Sequence, residues 1–130
     1  MDIFTTYATD ASLENNGTWI KVGDARFKIA RAGNRKFQKA LAAAYETHRP
    51  ALTVNDDAAD ALSDQIMAEV MAKTILLDWE HVEFRGQPMH YSTGNAKAAL
   101  AIKDFRKLIT NLAGDIEHFR VKEEEAQGKA

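Results

Sequence analysis

Apolar residues recur along this chain with two periods, and the changes of period mark the elements. Residues 18–22 are rich in β-formers, and Arg26-Phe27-Lys28-Ile29-Ala30-Arg31 alternates polar and apolar. A period of two puts Phe27 and Ile29 on one face and Arg26, Lys28 and Lys21 outward. Gly23-Asp24 lies between the two runs, so the pattern predicts a β-hairpin. The order Gly-Asp reverses the favoured Asp-Gly, and a turn longer than two residues is expected. Beyond Gly33 the period becomes helical. Asn34 is a cap, and Phe37, Leu41, Ala44 and Tyr45 or His48 fall at helical spacing to about residue 47. Pro50 is expected to stop this helix. Asn55-Asp56-Asp57 opens the next with negative charge where the helix dipole favours it. Leu62, Ile66 and Val70 form one row with Met67 and Met71 beside it, which predicts a central core helix to about residue 76. Ser92 is a good cap for a short Ala-rich helix over residues 93–102. From near Asp104, Phe105, Leu108, Ile109, Leu112, Ile116 and Phe119 keep spacings of three and four, the pattern of one last helix. Gly114 weakens that helix by ~1 kcal/mol relative to Ala.

Between the central helix and Ser92 the periodicity breaks down. Residues 77–92 carry Trp79, Phe84, Met89 and Tyr91 around Arg85-Gly86 and Pro88. Large apolar side chains are costly to leave loose, so a packed connection between two helices is expected. Residues 82–84 and 87–89 read as a short hairpin or an extended loop. Residues 1–16 are expected to be a flexible arm with a short helix near residues 11–15, closed by the Asn15-Asn16-Gly17 turn. Residues 122–130 are a polar tail expected to fray. The expected fold is therefore mainly α with a small β component. An N-terminal β-hairpin packs on a bundle of about four helices, in one globular domain over residues 17–121.

Composition narrows the function more than the fold. At 130 residues the chain suits one domain with a modest core. A formal net charge of -2 argues for neither nucleic acid nor an acidic surface role. The absence of Cys removes disulfides, thiolate catalysis and Cys-based zinc sites, and fits a reducing compartment. No apolar run approaches the ~20 residues of a membrane span, and the N-terminus lacks the shape of a signal peptide. A cytosolic, non-secreted protein is expected.

Candidate chemistry is sparse. His48, His81, His90 and His118 show no metalloprotease-type spacing. His81 and His90 flank one turn, but loop histidines explain them more simply than a metal site. Asp78, Glu80 and Glu83 invite an acid/base reading. Asp78 and Glu80 alternate with Trp79, however, and solvated charges beside a buried aromatic are the simpler account. Asp56, Asp57, Asp60 and Asp64 lack the glycine and terminal glutamate of a calcium loop. No phosphate-binding Gly-rich loop occurs, and Ser12, Ser63 and Ser92 have no nucleophile context. A non-enzymatic protein without metal or cofactor is expected. One segment is strongly basic. Lys21, Arg26, Lys28, Arg31, Arg35, Lys36 and Lys39 stand against the single acid Asp24. A solvated face or a protein contact is favoured over nucleic acid, because Phe27 and Phe37 belong to the apolar pattern and are not free to stack on bases.

Two regions carry a family resemblance. One is Trp19-Ile20-Lys21-Val22-Gly23-Asp24-Ala25-Arg26-Phe27-Lys28-Ile29-Ala30, followed by residues 34–37. The other is Leu76-Leu77-Asp78-Trp79-Glu80 through Gln87-Pro88-Met89-His90-Tyr91-Ser92, followed by Asn95-Ala96. With the helices between them, residues 18–119 resemble the tail assembly chaperones of long-tailed bacteriophages, the family of the lambda-like G-type tail assembly proteins. Thr93-Gly94 departs from the proline and acidic residue often found at that helix start.

The resemblance implies an assembly factor made in the host bacterial cytoplasm and absent from the mature virion. Such a factor binds the tape measure protein, keeps it soluble, and promotes tail tube polymerisation around it. It reaches the tail tube protein through a frameshift extension, and self-association into a homo-oligomer is compatible with an exposed hairpin edge. Met67, Met71 and Met89 suit an adaptable apolar surface, although core filling is the simpler role for the first two. Trp79, Phe84, Met89 and Tyr91 are the candidate client-binding residues. The competing expectations are a structural head-tail connector or minor tail protein, and a small nucleic-acid-binding regulator using residues 21–39.

Overall fold

In the computed structural model, which describes residues 1–54 and 56–121, the first two strands form as their alternation predicts. β1 (Thr18–Val22) and β2 (Ala25–Ile29) pair antiparallel with Val22 opposite Ala25. This register leaves only Gly23 and Asp24 in the turn, against the expectation of a longer one. Gly23 has φ 61°. A type II′ turn takes glycine at its first central position, so Gly-Asp is the right order for this turn type. Expected Asn55 and the tail at residues 122–130 lie outside the described residues.

The sheet has a third strand that the sequence pattern does not predict. The central helix, α4 (Asp57–Thr74), ends before residue 76, and β3 (Leu76–Glu80) pairs antiparallel with β2 to give the order β1-β2-β3. Ile29 pairs with Leu76 and Lys28 with Asp78, so Leu77 is an extra residue, a bulge. Without it, Leu76 and Trp79 would face opposite sides of the sheet. With it, both are buried. The same bulge breaks the alternation that would have revealed the strand.

Four longer helices complete the fold, which is mainly α with a small antiparallel β component. The first is α3 (Arg35–Leu52), capped by Asn34, whose Oδ1 accepts from Phe37 N at 3.0 Å. The Asn34 side-chain amide also donates to Arg31 O at 2.9 Å and to Thr74 O at 3.1 Å. One buried side chain thus caps the start of α3 and satisfies a terminal carbonyl of α4. Pro50 does not stop α3. It lies in the exposed last turn, where its missing N–H removes one hydrogen bond, and Thr53 closes the end through Arg49 O at 3.1 Å and Pro50 O at 2.9 Å.

α4 is the central helix, buried at Ile66, Ala68, Val70, Met71, Ala72 and Thr74. α5 (Thr93–Leu100) starts at Ser92, whose Oγ accepts from Asn95 N at 3.0 Å. α6 (Lys103–Gly114) is shorter than expected. Gly114 is a weak helix former, and the Asp115 carboxylate accepts from Glu117 N at 3.0 Å, starting a separate 3-10 turn at Ile116–His118. The turn delivers Phe119 into the interior, where it is fully buried beneath the Arg31 guanidinium.

Residues 1–16, expected to be a flexible arm with a short helix near residues 11–15, carry that helix and an unexpected one before it, both tied to the body. They are α1 (Ile3–Tyr7) and α2 (Ala11–Asn16), capped by Asp2 and Asp10. The ties are backbone hydrogen bonds: Asp10 N to Phe119 O at 2.8 Å, Val121 N to Ala8 O at 3.2 Å, and Arg31 N to Glu14 O at 2.9 Å. Gly17, at φ 88°, then turns the chain into β1. A Cβ there would meet Leu77 Cδ1 at 3.0 Å and Lys28 Cγ at 3.1 Å, so the positive φ favours glycine and the tight approach adds to it. Among the described residues no helix is long and apolar enough to cross a membrane.

Candidate functional site

Of the four aromatic and Met positions singled out between α4 and α5, the fold brings three together. Trp79 is 5 % exposed, and its indole donates to Met89 O at 2.7 Å. Tyr91 stacks edge-on against Trp79 at 5.3 Å and donates its hydroxyl to Leu76 O at 2.8 Å. Phe27 meets the other side of Trp79 edge-on at 6.4 Å. Burial, and then the negative charge of Asp78, push the Tyr91 hydroxyl above its ordinary pKa. Every polar atom of this cluster named here is engaged inside the chain. Trp79, Met89 and Tyr91 therefore join β3 to the segment leading into α5.

Phe84 stands apart. β4 (Glu83–Phe84) and β5 (Gln87–Pro88) form a small hairpin whose turn is Arg85-Gly86, at φ 53° and 79°. Two positive φ values mark a type I′ turn. Phe84 is 40 % exposed on this hairpin, with the Arg85 guanidinium 5.5 Å from its ring.

The basic segment is divided by the fold. Arg26 pairs with Glu80 at 2.8 Å and lies over the Trp19 ring. Arg31 pairs with Glu14 at 3.5 Å, and Lys28 stands opposite Asp78 in the β2–β3 register. Strand pairing thus sets an acid opposite two of the basic residues, and α2 supplies Glu14 to Arg31. Lys21, Arg35, Lys36 and Lys39 take part in no ion pair among the described residues, and all four are exposed. The histidines do not gather: among the described residues no three His, Cys, Asp or Glu side chains are grouped so as to hold a metal ion.

A partly covered apolar surface lies on α3, where local periodicity gives no hint of exposure. None of the 18 residues of α3 is fully buried. Phe37, Ala40, Leu41, Ala44, His48 and Leu52 are half-covered by α4, against which α3 packs. Where α3, α4 and α6 meet, a notch of about 180 Å³ is lined by Phe37, Met67, Met71, Ile75, Thr110 and Ala113. At the other end of the α3–α4 pair, an open groove of about 600 Å³ runs past Tyr45, Glu46, Arg49, Leu52 and Asp60. The only sequence signal for the notch is the pair Met67 and Met71, one helical turn apart. The remaining lining comes from two other elements, which no local pattern connects.

The half-covered amphipathic face of α3 and the Met-lined notch beside it are thus the open apolar features of the α3–α4 pair. The origin of the chain follows from comparison with known families. Residues 32–130 match the family described as YdaY prophage protein, and the chain belongs to that family of phage-derived proteins. The match begins after β2, so α1, α2 and the β1–β2 hairpin lie outside it. No curated protein and no solved structure matches the chain significantly.

Proposed function

We propose that this prophage protein is a tail assembly chaperone that acts by contact alone, without making or breaking covalent bonds. It binds the tape measure protein of its own prophage, keeps that chain soluble, and promotes tail tube polymerisation around it. It acts in the host bacterial cytoplasm, is left out of the mature virion, and reaches the tail tube protein through a frameshift extension. The observation that carries this reading is α3. It is a long amphipathic helix with its apolar stripe only half-covered, which leaves a second helix a place to pack. The resemblance of residues 18–119 to the tail assembly chaperones and the prophage family support the same reading. The grip is placed on the α3–α4 face and its notch rather than on Trp79 and Tyr91, which are occupied within the chain.

Co-expression with the tape measure protein tests the proposal. The tape measure chain is expected in the soluble fraction and in complex when this protein is present, and in the pellet when it is absent. No association, or stoichiometric recovery of this protein from purified particles, would overturn it. The second outcome would instead establish a head-tail connector or minor tail subunit.

A further inference from the structure

The described residues present both an apolar notch and an exposed apolar projection of matching size. The projection is α1. Ile3 and Phe4 are each 71 % exposed, and Tyr7 is more than half exposed beside them. Among the described residues, Phe4 has only the rim of Ala8, Arg120 and Val121 beside it, and two such side chains exposed on a five-residue helix gain little from burial. The notch, lined by Phe37, Met67, Met71, Ile75 and Ala113, has about 180 Å³ of space. Apolar cavities of ~150 Å³ accept a benzene ring.

The charges around the two features are opposite. Residues 1–16 contain Asp2, Asp10 and Glu14 and no Lys, Arg or His, so they stay net negative with the Met1 ammonium counted. Asp2 directly precedes the projection. The notch lining itself holds no acid, Lys36 directly precedes its Phe37 on the first turn of α3, and Lys107 shares a helix face with its Thr110. Both lysines are exposed and in no ion pair among the described residues.

We infer that α1 of one copy seats Phe4 in the α3–α4–α6 notch of a second copy, with Asp2 meeting the lysines at its rim. The contact joins two different patches, so it is heterologous and repeats head to tail unless its rotation closes a ring. It stands on these two surfaces alone and does not depend on the identity of any client. A single short helix buries well under ~1,000 Å², so the association is weak and belongs to the upper micromolar range or above.

Sedimentation of the full chain at increasing concentration, up to ~1 mM, provides the test. The weight-average mass is expected to rise from the 14.5 kDa monomer, and less steeply in high salt. Phe4→Asp removes the projection, and Thr110→Glu places an acid at the notch. Both positions are exposed, so thermal melts of both variants are expected to match the parent. Each variant alone is expected to remain monomeric. An equimolar mixture is expected to regain association but to stop at a dimer, since only one projection and one notch remain between the two molecules. A parent that stays monomeric throughout overturns the inference. So does unchanged self-association of either variant, which would point to another surface such as the free edge of β1. Failure of the mixture to regain association overturns it as well.

Discussion

At the scale of single residues, the aromatic positions between α4 and α5 separate by what their polar atoms bind. Trp79 is enclosed by Phe27, Tyr91 and the Met89 carbonyl. Trp79→Ala is expected to cost ~3–5 kcal/mol, a drop in Tm on the order of 10 °C or more. Phe84 is exposed on a hairpin beyond the main sheet, and Phe84→Ala is expected to change stability by less than ~1 kcal/mol. Thermal melts of the two variants decide whether this segment is core, and equal losses would show the division to be wrong. Tyr91 adds a dependence on pH. Its hydroxyl ionises above the ordinary value because it is buried and close to Asp78. The unfolded chain therefore releases that proton first, near pH 10. The stability held by the protonated hydroxyl is intact below that pH and is lost as pH rises through the folded value. Tyr91→Phe is expected to cost ~1–2 kcal/mol at neutral pH, since it removes the bond to Leu76 O. The gap between the variant and the parent should narrow above pH 10, and a gap that widened there would contradict the assignment.

At the scale of elements, termini decide where local sequence governs and where it does not. Asn34 joins two helix ends, and Asn34→Ala is expected to lower stability by ~1–3 kcal/mol, because a buried carbonyl of Thr74 loses its donor along with the cap. Gly114 is the last residue of α6, does not have positive φ, and has nothing within 4 Å of where a Cβ would stand. Gly114→Ala is expected to add ~0.4–1 kcal/mol, measurable by denaturant unfolding, and a loss would mean that the break after α6 needs glycine. The hairpin, the caps at Asn34 and Ser92 and the central position of α4 were legible in the sequence because each rests on neighbours within one turn or one strand. β3 was not, because the Leu77 bulge breaks the alternation and the pairing partner is distant in sequence. The end of α6 and the fixing of residues 1–16 were not legible for a similar reason. They depend on Phe119 being drawn inward and on the carbonyl it offers to Asp10. The aromatic richness around Trp79 was visible, but a pattern of large side chains does not say whether they face a partner or each other. The notch could not be read at all, since three separate elements build it.

At the scale of the whole molecule, stability is unevenly distributed, and the proposed function uses the weaker part. α4 lies between α3 on one side and the sheet with α5 on the other, and much of its second half is buried. α3 has no fully buried residue, carries Pro50 in its last turn, and rests on α4 as its main support. Helical hydrogen bonds on such an element open without unfolding the sheet, so local opening should cost less there than in the core. Native-state hydrogen exchange is therefore expected to show the amides of the middle of α3 exchanging about tenfold or more faster than those of α4 from residue 66 onward, with β2 as slow as α4. Both helices have ordinary propensities over most of their length, so the difference reflects tertiary cover rather than sequence. If α3 is the face that receives a client helix, addition of the tape measure protein should slow exchange along the half-covered stripe from Phe37 to Leu52 and leave α4 little changed. If α3 in the free protein is already as protected as α4, it is a fixed part of the core. The half-covered stripe then offers no adaptable surface, and the contact on which the proposed chaperone activity rests has to be sought elsewhere.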